Sequence, residues 1–364
     1  MIELFIGTCM GPNGWSSRSF VYTLQDGEIQ YLRGYCNFSA GVGRTGTFIA
    51  LDILYDQGTD KGSIDVFKCV DELRQRRVNM VQTKRYTTCL PVSIFLTLMS
   101  NSGTVSEKNS EDDIYTTAKK TDNKSKNRYD NILAPNEFRP FLLTQVPGCP
   151  DYINAVFIPG YLNKFGYILT QTALTSTAVD CCRLVYEQEV KIIVTFQEDG
   201  DDDVNILLTH TIPDYLDMSS YLFILIGIYL PEKGSVKLGP FGMTFVADEN
   251  KRDYIRRGYQ LTFQSEKRSV TQLMFKEWPP SSLTPSDPSK MLYFLEEVET
   301  LQRQNDDKPI LAQCLKDAQR SGLIVVLMDI LERLRFDKEV SISLVIRQLK
   351  IRRQQIIPNF WSKS

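Results

Sequence analysis

A short segment late in the chain combines the residue types and the spacing that phosphate chemistry needs. Cys314 and Arg320 are separated by five residues, and Ser321 follows. A cysteine beside a helix N-terminus has a lowered pKa and is therefore a thiolate nucleophile at neutral pH. The planar guanidinium of an arginine donates to two phosphate oxygens at once. The segment therefore predicts a nucleophile and an anion clamp in one loop, with the Ser321 hydroxyl placed to hydrogen-bond the cysteine sulfur.

The surrounding sequence supports a loop between a strand and a helix. Residues 309–313 form a short apolar run, typical of a buried strand, and an apolar helix pattern covers residues 323–336. The Cys-x5-Arg spacing alone recurs by chance. A second interpretation therefore stays open, in which Cys314 is a buried structural cysteine beside a helix-capping loop.

A second loop, nearer the N-terminus, has the glycines of an anion cradle but no cysteine. It contains Ser39, Gly41, Gly43 and Arg44, and an apolar helix pattern follows over residues 47–54. The N–H groups of such a loop and of a helix N-terminus converge on an anion such as phosphate. Loop and apolar helix thus occur twice, each time followed by a helix with basic and aliphatic residues. Two copies of one domain, the first cut short, produce this internal repeat.

Composition limits the classes of function. The chain has 364 residues, 42% of them hydrophobic and 24% charged, with a formal net charge of −2. These values are ordinary for a globular protein and give no overall field that favours nucleic acid. No apolar run is long enough to cross a bilayer, and residues 221–230 are expected to form a buried strand. We therefore expect a cytoplasmic chain with no nucleic-acid partner and no membrane span.

Cysteine and histidine usage argues against a disulfide framework and against a metal site. The eight cysteines are scattered without CxxC pairs, which indicates reduced thiols. His210 is the one histidine of the chain, so a site with several histidines is excluded. We expect His210 to be structural, and we expect no cofactor and no metal.

The remaining sequence predicts an α/β fold with a twisted mixed sheet flanked by helices, preceded by a partial helical remnant of another copy. Alternating or continuous apolar runs predict strands at residues 152–157, 166–170, 191–196, 243–246, 259–263 and 309–313. Periodic apolar residues predict helices at residues 63–77, 291–302, 323–336 and 340–350, with another between the second and third strands. A third apolar stretch of the first copy covers residues 90–99, and a short helix is expected around residues 111–119.

Several of these segments resemble the motifs of protein-tyrosine phosphatases. Residues 39–47 resemble the signature loop of that family without its cysteine, and residues 80–83 resemble its glutamine loop. In the second copy, residues 126–129 (KNRY) resemble the phosphotyrosine-recognition loop. Other segments that fall in family order are residues 151–155 (DYINA), residues 167–171, and Trp278, Pro279 and Pro280.

The resemblance covers about residues 39–100 and 126–358 and implies a tyrosine-phosphatase-like fold. Two copies in tandem resemble the intracellular part of a receptor-type phosphatase, whose full-length parent would be anchored in the membrane. We divide the chain into an unassigned segment (1–38), a C-terminal remnant of a first phosphatase domain (39–100), a linker (101–125) and a second phosphatase-like domain (126–364). The implied partners are phosphotyrosine-containing proteins, with intramolecular or homodimeric contacts between phosphatase domains as a further expectation.

The resemblance also implies a role for individual residues of the second copy. Catalysis falls to Cys314, Arg320 and Ser321. Substrate binding falls to Tyr129, Lys316 and Ala318. Tyr129 would stack on the phenyl ring of phosphotyrosine, and the alternative is a surface aromatic that only supports its loop.

Departures from the family pattern predict impaired catalysis. Phe38 stands at the nucleophile position of the first copy. In the second copy, Asp317 and Gln319 replace the glycines that let a backbone approach phosphate closely. The acid loop reads Trp-Pro-Pro, so the aspartate that protonates the leaving phenol is missing, which costs on the order of 10²–10⁴ in rate. Asp287 lies seven residues after Pro280 and is not expected to replace it.

Three functions follow for the second copy. The first is a catalytically impaired module that binds phosphotyrosine proteins or regulates phosphotyrosine signalling. The second is a slow phosphatase, in which Cys314 forms a phosphocysteine intermediate that Arg320 and the loop N–H groups stabilise. The third is a redox sensor based on the Cys314 thiolate.

Overall fold

The structure is a computed structural model and describes part of the chain. The described residues are 24–25, 28–29, 44–61, 63–81, 90, 112–196, 229–276, 278–279, 282–305, 308–315, 318–338 and 340–357. Several predictions fall outside them, namely those on Phe38, Ser39, Gly41, Gly43, His210, Pro280, Lys316 and Asp317, on most of residues 90–99 and on residues 221–228.

Within the described residues, ten strands form two sheets. A small hairpin near the N-terminus pairs β1 (Leu24–Gln25) with β2 (Glu28–Ile29). The main sheet contains β3 (Ala155–Ile158), β4 (Tyr167–Gln171), β5 (Ile192–Phe196), β6 (Ser235–Leu238), β7 (Phe241–Asn250), β8 (Tyr254–Phe263), β9 (Glu266–Phe275) and β10 (Ile310–Cys314). Its order is β3-β4-β10-β5-β9-β8-β7-β6. The four strands β4, β10, β5 and β9 run parallel, and the pairs on either side of them are antiparallel. The predicted mixed sheet is confirmed.

Seven α-helices are present in the described part of the chain. They are α1 (Arg44–Lys61), α2 (Val66–Arg76), α3 (Thr121–Lys124), α4 (Ala178–Glu187), α5 (Pro288–Gln304), α6 (Arg320–Phe336) and α7 (Ile342–Arg352). Short 3-10 turns occur at Asp112–Tyr115 and Thr175–Thr177. The predicted short helix at residues 111–119 is thus a 3-10 turn followed by irregular turns.

Helices cover both faces of the main sheet, because its central strands alternate their apolar side chains between two cores. On one face, Val194 and Ala312 belong to a cluster that also contains the buried residues of α5, α6 and α7. On the other face, Ile193 and Leu311 join a cluster with α4 and the β7–β8 hairpin. This layering places β10 in the centre of the molecule, with its C-terminal end at Cys314.

The sequence and the structure differ in the extent of the antiparallel part of the sheet. β6 and β9 are not predicted by the sequence, and β7 and β8 extend to ten residues each. The second half of β7 is exposed, and β9 begins with exposed polar residues. These segments are paired by backbone hydrogen bonds in hairpins that extend beyond the core, so they carry no apolar pattern.

The predicted linker of residues 101–125 also differs in its second part. Tyr115 and Ala118 are buried and form a small cluster with Leu133 and Tyr152. The chain from residue 112 onwards therefore packs against the segment that follows it. Among the described residues, no helix is long and apolar enough to cross a membrane.

Candidate functional site

The loop between β10 and α6 places the three candidate catalytic residues together. Cys314 is the last residue of the central strand β10, and Arg320 is the first residue of α6. The Cys314 Sγ and Ser321 Oγ atoms are 3.2 Å apart, within hydrogen-bonding distance for sulfur. Cys314 and Ser321 are buried, and Arg320 is only 7% exposed. The sulfur therefore lies at the N-terminal end of a 17-residue helix, where the helix dipole favours negative charge.

The acid-loop segment contacts the candidate phosphate clamp. Arg320 Nη2 donates to the carbonyl oxygen of Pro279 at 3.4 Å, and the guanidinium lies 5.6 Å from the centre of the Trp278 ring. Trp278 is held in turn by an edge-to-face contact with Phe196 and by donation from its Nε1 to the carbonyl oxygen of Ser282 at 3.0 Å. The structure thus brings Trp278 and Pro279 to Arg320, although they are far apart in sequence.

Asp287, the nearest carboxylate after the acid loop, has a structural contact. It is the N-cap of α5, and its Oδ1 accepts a hydrogen bond from the N–H of Ser289 at 2.8 Å. A carboxylate in this position satisfies a helix N-terminus. This contact agrees with the expectation that Asp287 does not replace the missing acid.

The segment that contains Tyr129 is fixed to the strand beside β10. Gln171, at the end of β4, accepts from the N–H of Arg128 at 2.9 Å and donates to the carbonyl oxygen of Lys126 at 2.9 Å. The N–H of Thr172 donates to the carbonyl oxygen of Cys314 at 3.1 Å. Two hydrogen-bonded steps therefore connect the predicted recognition loop with the backbone of the candidate nucleophile. Tyr129 itself is half-buried.

A buried triad of charged side chains connects the same loop with α4. Asp180 on α4 accepts from Lys126 Nζ at 2.6 Å and from Arg183 Nη1 at 3.0 Å. All three side chains are almost completely buried. Arg183 also donates to the carbonyl oxygens of Pro150 and Leu142. The triad therefore joins the loop to α4, and removing one member would leave a buried charge uncompensated.

Gln313 connects the site with the far side of the sheet. Its Oε1 accepts from the Tyr229 hydroxyl, and its Nε2 donates to the carbonyl oxygen of Gln171 at 3.5 Å. Burial, and secondarily Cys181 and Cys182, raise the pKa of Tyr229 well above its ordinary value, so the hydroxyl remains a donor. The residue before Cys314 is therefore held by two partners from other strands or turns.

Some predicted site positions lie wholly or partly outside the described residues. Ala318 is buried in the loop, while its neighbours Lys316 and Asp317 lie outside the described residues. Arg44 begins α1, but its side chain is not among those described.

Sequence reasoning missed the positioning roles of Gln171, Gln313 and Tyr229. Gln171 is the last residue of β4 and Gln313 is the residue before the last of β10, and Gln171 lies opposite Cys314 in the parallel pairing. A comparison of the ends of the predicted strands would have indicated this pair. Tyr229 lies in a turn after a segment outside the described residues, and no sequence pattern connects it with Gln313.

The described residues offer no alternative centre for metal or disulfide chemistry. None of the described cysteines forms a disulfide. In the same part of the chain, no three His, Cys, Asp or Glu side chains are close enough together to hold a metal ion.

One known protein family matches most of the chain, including this site. The family model described as protein-tyrosine phosphatase matches residues 35–94 and 123–360. The chain belongs to the protein-tyrosine phosphatase family. The motifs indicate residues 39–100 and 126–358. The first matched segment starts and ends earlier than the first of these ranges, and the second matched segment starts before and ends after the second range. The loop from Cys314 to Arg320 and the segment with Tyr129 both lie in the second matched segment of this tyrosine-phosphatase chain.

Curated relatives of this phosphatase-family chain are receptor-type enzymes by name. It is 34% identical over 246 residues to receptor-type tyrosine-protein phosphatase V of Rattus norvegicus. The aligned region is 66% of this chain and 13% of that protein. It is 26% identical over 349 residues to receptor-type tyrosine-protein phosphatase U of Gallus gallus, covering 86% and 23%. It is 27% identical over 358 residues to receptor-type tyrosine-protein phosphatase epsilon of Mus musculus, covering 88% and 48%. The chain thus spans less than half the length of these relatives.

Proposed function

We propose that the second copy is a catalytically impaired phosphotyrosine-binding module in phosphotyrosine signalling. The observation that carries the proposal is the contact between Arg320 and the Trp278–Pro279 segment, because the residue that follows Pro279 is Pro280. In this proposal Arg320 supplies the guanidinium clamp, whereas Trp278, Pro279 and Pro280 supply no carboxylic acid for a leaving phenol. Such a site can bind a phosphate dianion and is slow to transfer it.

The fixed recognition loop supports binding in particular. Lys126 and Arg128 tie the loop to Gln171 and Asp180, so the segment that contains Tyr129 is held by several hydrogen bonds. Binding sites on rigid segments lose little conformational entropy when a ligand is bound. The ligand class is a phosphotyrosine side chain in a protein, with its phosphate at Arg320 and its ring beside Tyr129.

A slow phosphatase is the second candidate, and the short distance between Cys314 Sγ and Ser321 Oγ favours it. In this reaction the thiolate attacks phosphorus, a P–S bond forms and the P–O bond to the phenol breaks. Water then attacks phosphorus, the P–S bond breaks and inorganic phosphate leaves. The phenolate takes its proton from solvent, so only phosphates with good leaving groups would react at an appreciable rate.

One experiment separates the two candidates. Purified protein and its Cys314→Ser variant are tested for hydrolysis of para-nitrophenyl phosphate and for binding of a tyrosine-phosphorylated peptide. Phosphorylation-dependent binding without turnover supports the binding module. Turnover that Cys314→Ser abolishes supports the slow phosphatase. The absence of both binding and turnover would contradict the two candidate functions.

The proposal extends to the organisation of the whole chain. The helix α1 begins at Arg44 and is followed by α2, just as α6 begins at Arg320 and is followed by α7. We propose that residues 39–100 are the remnant of a first phosphatase domain in a tandem, receptor-type arrangement. The second domain would then work in the cytoplasm on phosphotyrosine proteins.

A further inference from the structure

The two helix pairs of the chain are built alike, residue by residue. α2 and α7 have 11 residues each and start directly after an N-cap side chain, Asp65 in one and Ser341 in the other. Asp65 Oδ1 accepts from the N–H of Lys68 at 2.8 Å, and Ser341 Oγ accepts from the N–H of Leu344 at 3.4 Å. The first pair therefore keeps the local structure of the second.

The ends of the two helix pairs also correspond. Arg77 and Arg353 both end their helix in an extended conformation. Val81 and Ile357 follow four residues later, and both have a positive φ, of 55° and 49°. The correspondence thus extends over residues 64–81, which retain the fold of their counterpart at residues 340–357.

The two units meet through equivalent residues. The N–H of Ile64 donates to the carbonyl oxygen of Val340 at 3.2 Å, and the N–H of Val340 donates to the carbonyl oxygen of Ile64 at 3.4 Å. Each residue directly precedes its N-cap, and both side chains are almost completely buried, at 1% and 2% exposure. A contact in which each residue pairs with its own equivalent is the signature of a two-fold, self-complementary interface.

Apolar packing continues from this bridge. The buried residues of α2, including Val66 and Val70, belong to the same continuous cluster as Val345 and Ile346 of α7. Burial of both sides of the bridge removes Val340 and its two backbone groups from water. An unfilled edge at this position would expose them, because edge backbone groups need a partner.

We infer that the backbone edge at Val340 is a docking surface for a segment of a phosphatase-type unit that combines a β-bridge residue with a following helix, and that residues 63–81 occupy it in this chain. The occupant must supply one N–H and one carbonyl group in antiparallel register, an apolar side chain at the bridge and a capped helix directly after it. Residues 63–81 meet all these conditions, since they repeat the structure of the surface on which they dock.

The test cuts the chain between the two units. A protease site is inserted within residues 101–111, the purified full chain is cleaved under native conditions, and the pieces are analysed by size-exclusion chromatography with light scattering. The wild-type pieces are expected to elute together at the mass of one chain. The variants Ile64→Asp and Val340→Asp bury an uncompensated charge at the bridge, and the retained N-terminal piece should fall at least about tenfold.

Reciprocal variants exclude simple misfolding. Ile64→Asp leaves the sequence of the second domain unchanged, and Val340→Asp leaves that of the first helix pair unchanged. Val78→Asp is the matched control, because this side chain of the same segment is 76% exposed, and its pieces should stay together. Wild-type pieces that separate, or both bridge variants remaining associated, would overturn the inference. Co-elution at the mass of two chains would also overturn it, since the occupant would then come from a second copy.

Discussion

Arg320 shows at the scale of a single residue how the site can bind without efficient turnover. Its guanidinium lies over Trp278 and donates to the Pro279 carbonyl oxygen, so the clamp and the acid-loop segment are in contact. The contact needs only backbone and indole atoms, which remain when the following aspartate is replaced by proline. The segment can therefore keep its contact with Arg320 and still lack the acid that catalysis needs.

Restoring the acid alone should not restore the reaction, because Asp317 adds a negative charge to the sequence between Cys314 and Arg320 that is proposed to bind the dianion. Pro280→Asp is expected to raise kcat/KM for a phosphotyrosine peptide less than about tenfold, and Pro280→Asp with Asp317→Gly by on the order of 10²–10⁴. Steady-state kinetics of the two variants measure this. The pair Pro280→Asn and Asp317→Gly is the control, since an amide cannot protonate the phenol. Full recovery with Pro280→Asp alone would show that the loop is not defective.

Asp287 should affect stability and not turnover. Its carboxylate caps α5 through the N–H of Ser289, so Asp287→Ala is expected to lower the free energy of unfolding by about 1 kcal/mol. Asp287→Ser keeps an N-cap oxygen and should retain most of that stability. Urea unfolding and para-nitrophenyl phosphate hydrolysis are measured on both variants. A loss of hydrolysis in both, with stability retained in Asp287→Ser, would identify Asp287 as the acid.

At the scale of the elements, the glycines after the two loop arginines allow close approach of the chain. A Cβ at Gly46 would lie 2.7 Å from the Val81 backbone nitrogen, whereas a Cβ at Gly322 would lie 3.1 Å from Ile356 Cγ1. Backbone moves less readily than the end of a side chain. Each glycine therefore allows the residues at the end of its helix pair to pack closely against the first turn of the first helix of that pair.

Gly46→Ala is expected to destabilise its helix pair more than Gly322→Ala destabilises the second one. The close backbone contact at Gly46 should cost about 1–3 kcal/mol, and the side chain of Ile356 can move to relieve part of the cost at Gly322. Urea unfolding of the two variants checks the order. An equal or larger loss in Gly322→Ala would contradict the assignment of the contact.

The sequence predicts those elements whose pattern is set locally or by full burial. The buried strand before Cys314 and the apolar helix after Arg320 have both properties, and the structure contains them as β10 and α6. β9 was missed because its first half is an exposed hairpin arm and only its second half pairs with β5. Exposed, backbone-paired segments carry no hydrophobic period from which they could be recognised.

The candidate site also contains contacts that the sequence predicts and contacts that it does not. The spacing of Cys314, Arg320 and Ser321 is local, so the sequence predicts that the three residues lie together. The hydrogen bonds of Gln313 to Tyr229 and of Arg128 to Gln171 join segments that are distant in sequence. Their formation depends on strand order, which no short motif specifies.

For the whole molecule, buried thiols and phenols limit stability in alkali. Burial raises the pKa of Cys182 to about 12 and that of Tyr259 to about 12. Above the pKa of the unfolded thiol, near 8.5, the native state binds more protons than the unfolded state. The free energy of unfolding should therefore fall from about pH 9 towards pH 12, by up to about 1.4 kcal/mol per pH unit for each such group.

Cys182→Ala removes one of these groups and should make the alkaline loss less steep. Urea unfolding of wild type and variant between pH 7 and pH 11 measures the two slopes. Between pH 7 and pH 8 the slopes should coincide, which serves as the internal control. Parallel curves up to pH 11 would contradict the burial of this thiol as the source of the loss.

Phosphate-dependent binding tests the central claim most directly. The affinity of a tyrosine-phosphorylated peptide and of its unphosphorylated form is measured by calorimetry on wild type and Arg320→Met, and the peptide is recovered afterwards for mass analysis. We predict that the wild type prefers the phosphorylated form, that Arg320→Met weakens this binding at least about tenfold, and that the recovered peptide keeps its phosphate. Equal affinity for both peptides, or a peptide recovered without phosphate, would contradict the account.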